Sequence, residues 1–343
     1  MSLRAYPTLT GQPPTVIAHR GASGYLPEHT LAAYQLAIEQ GTDFIEPDLV
    51  ATLDGVLIAR HEPNLLHTTN VTELTNFADR RTQVVIDGVE QEGFFCHHFT
   101  LAEIKQLRAR QPHPYRDQSY NDRFEIPTLS EIIDLVQHVE ATTGCKIGIY
   151  PETKHPTYFA QLGLAVEERL ITTLVAQRFT APDRVWIQSF EVTNLKDTLP
   201  SLMRVAGIQL PLVQLFGLES QQPYDFVVNH DPRTYADLLM PDRLDMFVSS
   251  YASAIGVWKR NFVLAEATVN GNERLTGEIL PLVSHAHAAG LQTHVYTFRN
   301  EAIFLATTYA GDPIAEYQQF YTLGVDGVFS DFPDTARQAI AVN

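Results

Sequence analysis

The sequence of 343 residues holds only two cysteines, Cys96 and Cys145, and no apolar run near the ~20 residues that span a bilayer. Two cysteines at that separation do not form a metal-ligand pair, while one disulfide and two buried thiols are equally open. Basic residues are also scarce, with 24 Lys and Arg against 40 Asp and Glu, a net charge of −16. That charge opposes binding to nucleic acids and anionic membranes. We therefore expect no nucleic-acid partner and no stable membrane insertion.

The first residues, Met1 to Pro14, show neither the charged start nor the apolar stretch of a signal peptide. Two expectations stay open, a cytoplasmic protein and the mature form of an exported one. An apolar fraction of 45% and a charged fraction of 19% are typical of a globular protein with a large core. The whole chain, 1–343, is predicted to form a single domain, and a homodimer is left open.

Short apolar strands alternate with amphipathic helices along nearly the whole chain, a pattern typical of parallel α/β folds. Strands are predicted at 15–19, 44–50, 56–61, 147–152, 184–189, 204–209, 246–250, 292–297 and 327–330. Helical periodicity is clearest at 28–40, 129–143, 158–178, 278–289, 300–309 and 333–341. Because Gly-x-Gly-x-x-Gly is missing, roughly eight β-then-α units favour a (β/α)8 TIM barrel over a doubly wound sheet.

Three regions break the alternation of strands and helices. Residues 64–126 show little regular pattern and are predicted to form an insertion between the second barrel strand and its helix. Residues 211–245 and 252–276 are rich in loops. We expect these loops to cover the mouth of the barrel, where long loops usually carry specificity.

Two histidines stand at the C-terminal ends of predicted strands, where TIM barrels keep their active sites. His19 ends the first predicted strand, and His61 ends the third. Because histidine titrates near neutral pH, two of them can act as base and acid in one displacement. The sequence therefore predicts His19 and His61 as a catalytic pair.

Three carboxylates at the same strand ends predict a metal site. Glu46 and Asp48 lie two residues apart on one strand, so their side chains project to one face. Glu152 ends a further strand. Oxygen ligands favour Ca²⁺ or Mg²⁺ over zinc. The alternative interpretation is that these acids only pair with nearby Arg and Lys side chains.

Several polar side chains could bind an anionic substrate beside that cation. Arg20 offers a planar fork to phosphate oxygens. Lys154 is expected to point into the same site, where it can neutralise charge in the transition state. Gln188 falls near another strand end, and Tyr296 is predicted to line the site. Together with the histidines, these residues predict metal-assisted attack on a phosphate ester.

Two further residues receive structural roles from the sequence. His29 is assigned to packing or solvent, as are most of the remaining histidines. Asp331, which follows the last predicted strand, is a candidate cap of the final helix.

The order and setting of these residues resemble the signature of the glycerophosphodiester phosphodiesterases. The motifs that carry the likeness are His19-Arg20-Gly21, Glu46-x-Asp48, His61 and Glu152-x-Lys154. The likeness is closest to the periplasmic bacterial branch, which shares the runs Gly24 to Thr30, Tyr150-Pro151-Glu152, Gln188-Ser189-Phe190 and Tyr296-Thr297-Phe298-Arg299. It extends from about Val16 to about Ala341, nearly the whole chain.

The resemblance implies a barrel with a small insertion after its second strand and a divalent metal, typically Ca²⁺, with Mg²⁺ as the second candidate. It implies hydrolysis of glycerophosphodiesters, such as glycerophosphocholine or glycerophosphoethanolamine, to sn-glycerol 3-phosphate and an alcohol. His19 and His61 would be the acid/base pair, and the metal ligands would be Glu46, Asp48 and Glu152. Substrate or phosphate contacts would come from Arg20, Lys154, Gln188, Phe190 and Tyr296. The likeness also implies a periplasmic or secreted location.

Two alternatives keep the barrel but change the function. A phospholipase D-like hydrolase of lysophospholipids would need an apolar mouth, which Pro211-Leu212-Val213 and Leu215-Phe216 make conceivable. The segment 211–276 also differs from the family in length and composition, which puts the specificity for the alcohol in doubt. The negative charge of the chain argues against a lipid hydrolase that docks on anionic bilayers. A noncatalytic binding barrel predicts loss of a histidine or a metal acid, yet all are present.

Overall fold

The computed structural model describes residues 6–268 and 271–342. Its strands, in chain order, are β1 (Thr15–His19), β2 (Phe44–Glu46), β3 (Asp48–Ala51), β4 (Leu57–Ala59), β5 (Thr82–Ile86), β6 (Val89–Gly93), β7 (Gly148–Ile149), β8 (Glu152–Thr153), β9 (Ile187–Ser189), β10 (Leu212–Leu215), β11 (Ala254–Trp258), β12 (Val263–Ala267), β13 (Glu273–Ile279), β14 (Gln292–Phe298) and β15 (Gly327–Ser330). Its α-helices are α1 (Leu31–Glu39), α2 (Leu101–Ile104), α3 (Leu129–Thr143), α4 (Pro156–Gln161), α5 (Val166–Ala176), α6 (Leu199–Ala206), α7 (Tyr224–Val228), α8 (Tyr235–Leu238), α9 (Pro241–Met246), α10 (Leu282–Ala288), α11 (Pro313–Thr322) and α12 (Pro333–Val342).

In the described chain, eight parallel strands close into a barrel. β2 and β3 form one barrel strand interrupted at Pro47, and β7 and β8 form another interrupted at Tyr150 and Pro151. Proline lacks the N–H that a central strand donates, which accounts for both interruptions. The ring runs from β1 through these strands and β9, β10, β11 and β14 to β15, which pairs with β1. The predicted (β/α)8 barrel is confirmed.

The segment 64–126 lies between β4 and α3 and packs against the barrel. β4 confirms the strand predicted at 56–61, but it runs antiparallel to β3 and is not one of the eight barrel strands. The segment holds the antiparallel hairpin β5–β6, the short helix α2 and several turns. Its buried Phe95 and Phe99 belong to the same apolar cluster as Ile132 of α3. The segment therefore shares the hydrophobic core of the barrel.

The helix α3 shows how the sequence defines a barrel helix. Thr128 and Glu131 form a reciprocal capping box at its start, which satisfies two backbone N–H groups that have no partner inside the helix. Gly144 ends the helix with a φ of 75°, a left-handed conformation that glycine adopts without steric cost. Ile132 and Val136, four residues apart, are fully buried. The predicted helix at 129–143 is confirmed.

Two predicted strands were wrong because short apolar runs fit a helix as well as a strand. Residues 204–209 contain the end of α6, whose buried Leu199 and Met203 are spaced four apart, and Gly207 ends that helix with a φ of 69°. Residues 246–250 contain the end of α9 and a 3-10 turn at Val248–Ser250. The barrel strands of this half are β10 and β11 instead.

Two helix predictions also need correction. Residues 158–178 contain the end of α4 and all of α5, and the two helices are separated near Gly163, which has a φ of 71°. Residues 300–309 form two 3-10 turns, and the helix follows as α11, capped by Asp312. Asp312 accepts a hydrogen bond from the backbone N–H of Ile314, which favours the later start.

The two cysteines are free thiols. Cys96 is buried and Cys145 is exposed, which decides against the disulfide and corrects the picture of two buried thiols. In the part of the chain that the structure describes, every helix is too short or too polar to cross a membrane.

Candidate active site

The register of the barrel strands places a row of polar side chains at one end of the barrel. His19 lies opposite Glu46 in the β1–β2 pair, and Asp48 lies opposite Glu152 in the β3–β8 pair. Gln188 of β9 continues the row beside Glu152. Candidate ligand oxygens of Glu46, Asp48 and Glu152 lie within 4.8 Å of one another, and all three residues are buried. The acids predicted from different strands therefore meet.

The three carboxylates form a cluster that fits a cation. Burial and the charge of Asp48 raise the pKa of Glu46 well above its usual range. Burial also raises the pKa of Glu152 to about 8, although the charge of Lys154 opposes the shift. Oδ1 of Asp48 is buried and has no hydrogen-bond partner in the described chain. A buried oxygen-only cluster with a free ligand atom suits a hard divalent metal ion.

His29 orients one carboxylate of this cluster. Its Nε2 lies 2.9 Å from Oδ2 of Asp48, and its Nδ1 lies 2.8 Å from the hydroxyl of Tyr34. Burial lowers the pKa of His29 to about 4, so at neutral pH a neutral imidazole joins the two partners. The assignment of His29 to packing or solvent was therefore incomplete, because this buried side chain fixes a candidate metal ligand.

Arg20 contacts the acid cluster with both its backbone and its side chain. Its backbone N–H donates to Oε2 of Glu46 over 2.9 Å, at a φ of 60°. Its guanidinium lies 2.9 Å from Oε2 of Glu28 and 3.4 Å from Oδ2 of Asp48. The predicted phosphate contact is thus already held between two carboxylates, which fixes where its remaining N–H groups point.

Lys154 and Gln188 each contact one acid of the cluster. Nζ of Lys154 lies 3.0 Å from Oε1 of Glu152 and 5.8 Å from the ring centre of Phe190. The side-chain amide of Gln188 donates to Oε1 of Glu46 over 3.0 Å. Lys154 is buried, so solvent screens little of the attraction between its charge and the acid cluster.

The first predicted catalytic histidine is held by a carboxylate. Nδ1 of His19 lies 2.6 Å from Oδ1 of Asp331, directly after β15. Burial, and then the charge of Arg20, lower the pKa of His19, so the imidazole is neutral near pH 7. Because Nδ1 is engaged, Nε2 is the nitrogen left for proton transfer. Asp331, predicted to cap the last helix, instead contacts this histidine.

The second predicted catalytic histidine has the same arrangement. Nδ1 of His61 lies 2.8 Å from Oε1 of Glu62, its neighbour in the chain. Burial, and then the charges of Arg20 and Lys154, lower the pKa of His61 to about 4. Nε2 of His61 is likewise the nitrogen left for proton transfer. Each imidazole can therefore accept a proton at Nε2 while a carboxylate holds its other nitrogen.

A cavity of about 140 Å³ brings most of the predicted site residues together. Its lining includes His19, Arg20, Glu46, His61, Glu152, Gln188, Phe190 and Tyr296. Asp48 is buried within the acid cluster, and Lys154 lines a neighbouring cavity of about 840 Å³ that shares Glu152, Phe190 and Tyr296 with the smaller one. Side chains from both regions expected to cover the mouth, including Leu218 and Trp258, line the larger cavity.

Sequence reasoning missed four residues of the site as well as His29. They are Glu28, Arg116, Arg299 and Asp331, which pair with Arg20 or with one another around His19. Arg299 and Asp331 directly follow β14 and β15, so their strand-end position was an available signal. Arg116 lies in the segment 64–126, and its contact with Asp331 spans 215 residues of sequence.

Comparison with known proteins shows which family this chain resembles. Residues 19–335 match the model of the glycerophosphoryl diester phosphodiesterase family. The glycerophosphodiester phosphodiesterase GDPD6 of Arabidopsis thaliana is 35% identical over 339 residues, covering 93% of this chain and 84% of the relative. The glycerophosphodiester phosphodiesterase of Haemophilus influenzae is 31% identical, with coverage of 93% and 88%.

Solved structures share the fold. The Oleispira antarctica phosphodiesterase in complex with the product sn-glycerol-3-phosphate matches with a TM-score of 0.58 and 21% identity, covering 97% of this chain and 99% of that one. A glycerophosphodiester phosphodiesterase from Agrobacterium tumefaciens matches with a TM-score of 0.56 and 19% identity, with coverage of 95% and 99%. The family match over most of the chain and the curated relatives lead to one conclusion: this protein is an enzyme that belongs to the glycerophosphoryl diester phosphodiesterase family.

Proposed function

We propose that the protein hydrolyses glycerophosphodiesters, such as glycerophosphocholine and glycerophosphoethanolamine, to sn-glycerol 3-phosphate and an alcohol, with a divalent metal ion. The observation that carries this proposal is the cavity in which two carboxylate-held imidazoles face the same space as a buried acid cluster. The Oleispira relative, which shares the fold, was solved with sn-glycerol-3-phosphate as its product. Arg20 and Lys154 supply positive charge for an anionic substrate.

In this proposal the metal site is formed by Glu46, Asp48 and Glu152. A Ca²⁺ or Mg²⁺ ion bound there would supply positive charge that polarises a phosphoryl oxygen. The raised pKa values of Glu46 and Glu152 support this role, because crowded buried carboxylates gain most from a cation. We propose Ca²⁺ as the preferred ion and Mg²⁺ as the second candidate.

The two histidines would move the protons. Nε2 of one imidazole accepts the proton of the attacking hydroxyl. The other imidazole must first take up a proton at Nε2, and it then gives that proton to the leaving alcohol. Asp331 and Glu62 hold Nδ1 of His19 and His61, so each ring presents Nε2 and gains a stabilising partner when it becomes positively charged. Phe190 and Tyr296 line the remaining wall and would position the substrate.

The test is turnover of glycerophosphocholine by His19→Ala and His61→Ala, each checked for folding by circular dichroism. Both variants should lose at least about 100-fold in kcat, the range expected for a general acid or base. Activity of the unaltered protein should vanish in EDTA and return with Ca²⁺. Full turnover in either variant, or activity indifferent to chelation, would contradict the proposal.

The same assay can test lysophospholipids as a second class of substrate. The larger cavity of about 840 Å³ is lined in part by Leu218 and Val227, which are 54% and 46% exposed, so an acyl chain could contact them. A lysophospholipase D activity would then show faster release from lysophosphatidylcholine than from glycerophosphocholine. We expect the water-soluble diester to be preferred, because the acid-rich surface of a protein with net charge −16 disfavours lipid surfaces that are anionic.

The proposed branch and location rest on sequence likeness. The runs Gly24 to Thr30 and Tyr150-Pro151-Glu152 support the periplasmic bacterial branch, whereas the Arabidopsis thaliana relative is more similar to this chain than the Haemophilus influenzae one. We propose a periplasmic or secreted enzyme, which fractionation of the source cells would test. Recovery of the enzyme with cytoplasmic markers would contradict that location. A homodimer stays a prediction, which the mass in solution would decide.

A further inference from the structure

The segment 64–126, called the insertion below, reaches both predicted catalytic histidines through carboxylates. One route starts at Asp87 in the turn of the hairpin β5–β6 and leads to His61. The other starts at Arg116 and leads to His19. Neither Asp87 nor Arg116 lines the cavity that contains the histidines, so any effect on them is indirect.

The route to His61 passes through three contacts. Oδ2 of Asp87 lies 2.5 Å from Nδ1 of His155, and Nε2 of His155 lies 3.7 Å from Oε2 of Glu62. The other oxygen of Glu62 lies 2.8 Å from Nδ1 of His61. Asp87 of the insertion therefore contacts His155. His155 in turn lies beside Glu62, the carboxylate that contacts His61.

The charge on His155 gives this route a physical effect. Burial alone would lower the pKa of His155, but its hydrogen bond with Asp87 and the nearby carboxylate of Glu62 outweigh burial and raise the pKa to about 9. A positive His155 beside Glu62 holds that carboxylate ionised and limits its motion. This matters because Glu62 is itself 43% exposed and would otherwise be free to turn into solvent.

The route to His19 is shorter and more deeply buried. Nη2 of Arg116 lies 2.6 Å from Oδ2 of Asp331, whose other oxygen lies 2.6 Å from Nδ1 of His19. Nη1 of Arg116 donates to the carbonyl of Ser23 over 3.0 Å, and its Nε lies 2.6 Å from Oε1 of Glu301. The Arg116 side chain is only 3% exposed, so its charge is fixed in place by three partners.

We propose that the insertion is a positioning element of the active site: Asp87, through His155 and Glu62, orients His61, and Arg116, through Asp331, orients His19. The inference rests on the proposed acid/base roles of the two histidines. Since small misplacements of reacting groups cost rate strongly, losing either route lowers kcat while substrate binding is kept.

The test uses Asp87→Asn and Arg116→Lys, with two matched controls in the insertion. Asp122→Asn changes an aspartate that has a positive φ, as Asp87 does. Asp122 pairs with Arg110 and lies on neither route. Arg80→Lys changes an arginine that pairs with Glu103. With glycerophosphocholine and Ca²⁺, Asp87→Asn and Arg116→Lys should each lower kcat about tenfold with KM within about twofold, and the controls should match the parent protein.

A double-mutant cycle separates positioning from general structural damage. If Asp87 acts through Glu62, the effect of Asp87→Asn on kcat should disappear in a Glu62→Gln background. The effect of Arg116→Lys should likewise disappear in an Asp331→Asn background. Additive losses, or parental kcat in both single variants, would overturn the inference while the proposed function stands. Full turnover in His19→Ala or His61→Ala would refute the proposed function itself and this inference with it.

Discussion

His29 and Asp48 form a fully buried contact in which Nε2 of the imidazole lies 2.9 Å from Oδ2 of the carboxylate. This contact leaves Oδ1 of Asp48 as the atom without a hydrogen-bond partner in the described chain. One oxygen is therefore fixed by the protein, and the other is left available to a ligand. A carboxylate that binds a metal ion is expected to have one oxygen held by the protein and the other directed at the ion.

Removing this contact should weaken metal binding. We expect His29→Ala to lower the affinity for Ca²⁺ about 10- to 100-fold, the range seen when a residue that orients a metal ligand is lost. Isothermal titration of the metal-free protein with Ca²⁺ would measure it. His138→Ala, which changes an exposed histidine on α3, should bind Ca²⁺ like the parent protein. Unchanged affinity in His29→Ala would show that Asp48 needs no such support.

Stability should depend on pH through His155. The folded pKa of about 9 lies above the ordinary value of 6.5, so folding favours the charged form. This stabilisation, at most about 3 kcal/mol, is fully present below about pH 6.5 and is lost as the pH rises through 9. The difference in unfolding free energy between the parent protein and His155→Gln should therefore shrink across that window. A difference that stays constant from pH 6 to pH 9.5 would contradict the charge assigned to His155.

A buried group of charged side chains outside the candidate active site should contribute to the stability of the fold. Nζ of Lys259 lies 2.9 Å from Oε1 of Glu316, and Arg260 lies 3.5 Å from the same oxygen. Lys259→Met should cost about 3–5 kcal/mol of unfolding free energy, because the buried Glu316 loses its nearest positive partner and keeps only the more distant Arg260. Arg274→Met, which breaks the exposed pair with Glu266, should cost less than about 1 kcal/mol. Denaturation by urea would compare them, and equal losses would contradict the role assigned to burial.

The convergence of the site could be predicted from the sequence because parallel strands bring their C-terminal ends to one rim. Glu46, Asp48 and Glu152 needed only that rule and the alternation of side chains along a strand. The family resemblance then indicated the reaction, hydrolysis of glycerophosphodiesters. The family match over residues 19–335 confirms that resemblance.

The residues around the histidines could not be predicted in the same way. The contact between Arg116 and Asp331 depends on how the insertion folds over the barrel, which no local pattern in residues 64–126 indicates. The strands β10 and β11 were misplaced because apolar runs near Met203 and Val248 fit either a helix or a strand. Only packing against the neighbouring strands decides between the two.

The proposed metal site is tested most directly by a crystal structure obtained after soaking the crystals with Ca²⁺ and sn-glycerol 3-phosphate, with the ion located by its anomalous signal. We expect one Ca²⁺ bound by Glu46, Asp48 and Glu152, with the phosphate beside it and within reach of His19 and His61. An ion bound elsewhere, or a phosphate beyond the reach of both imidazoles, would contradict it.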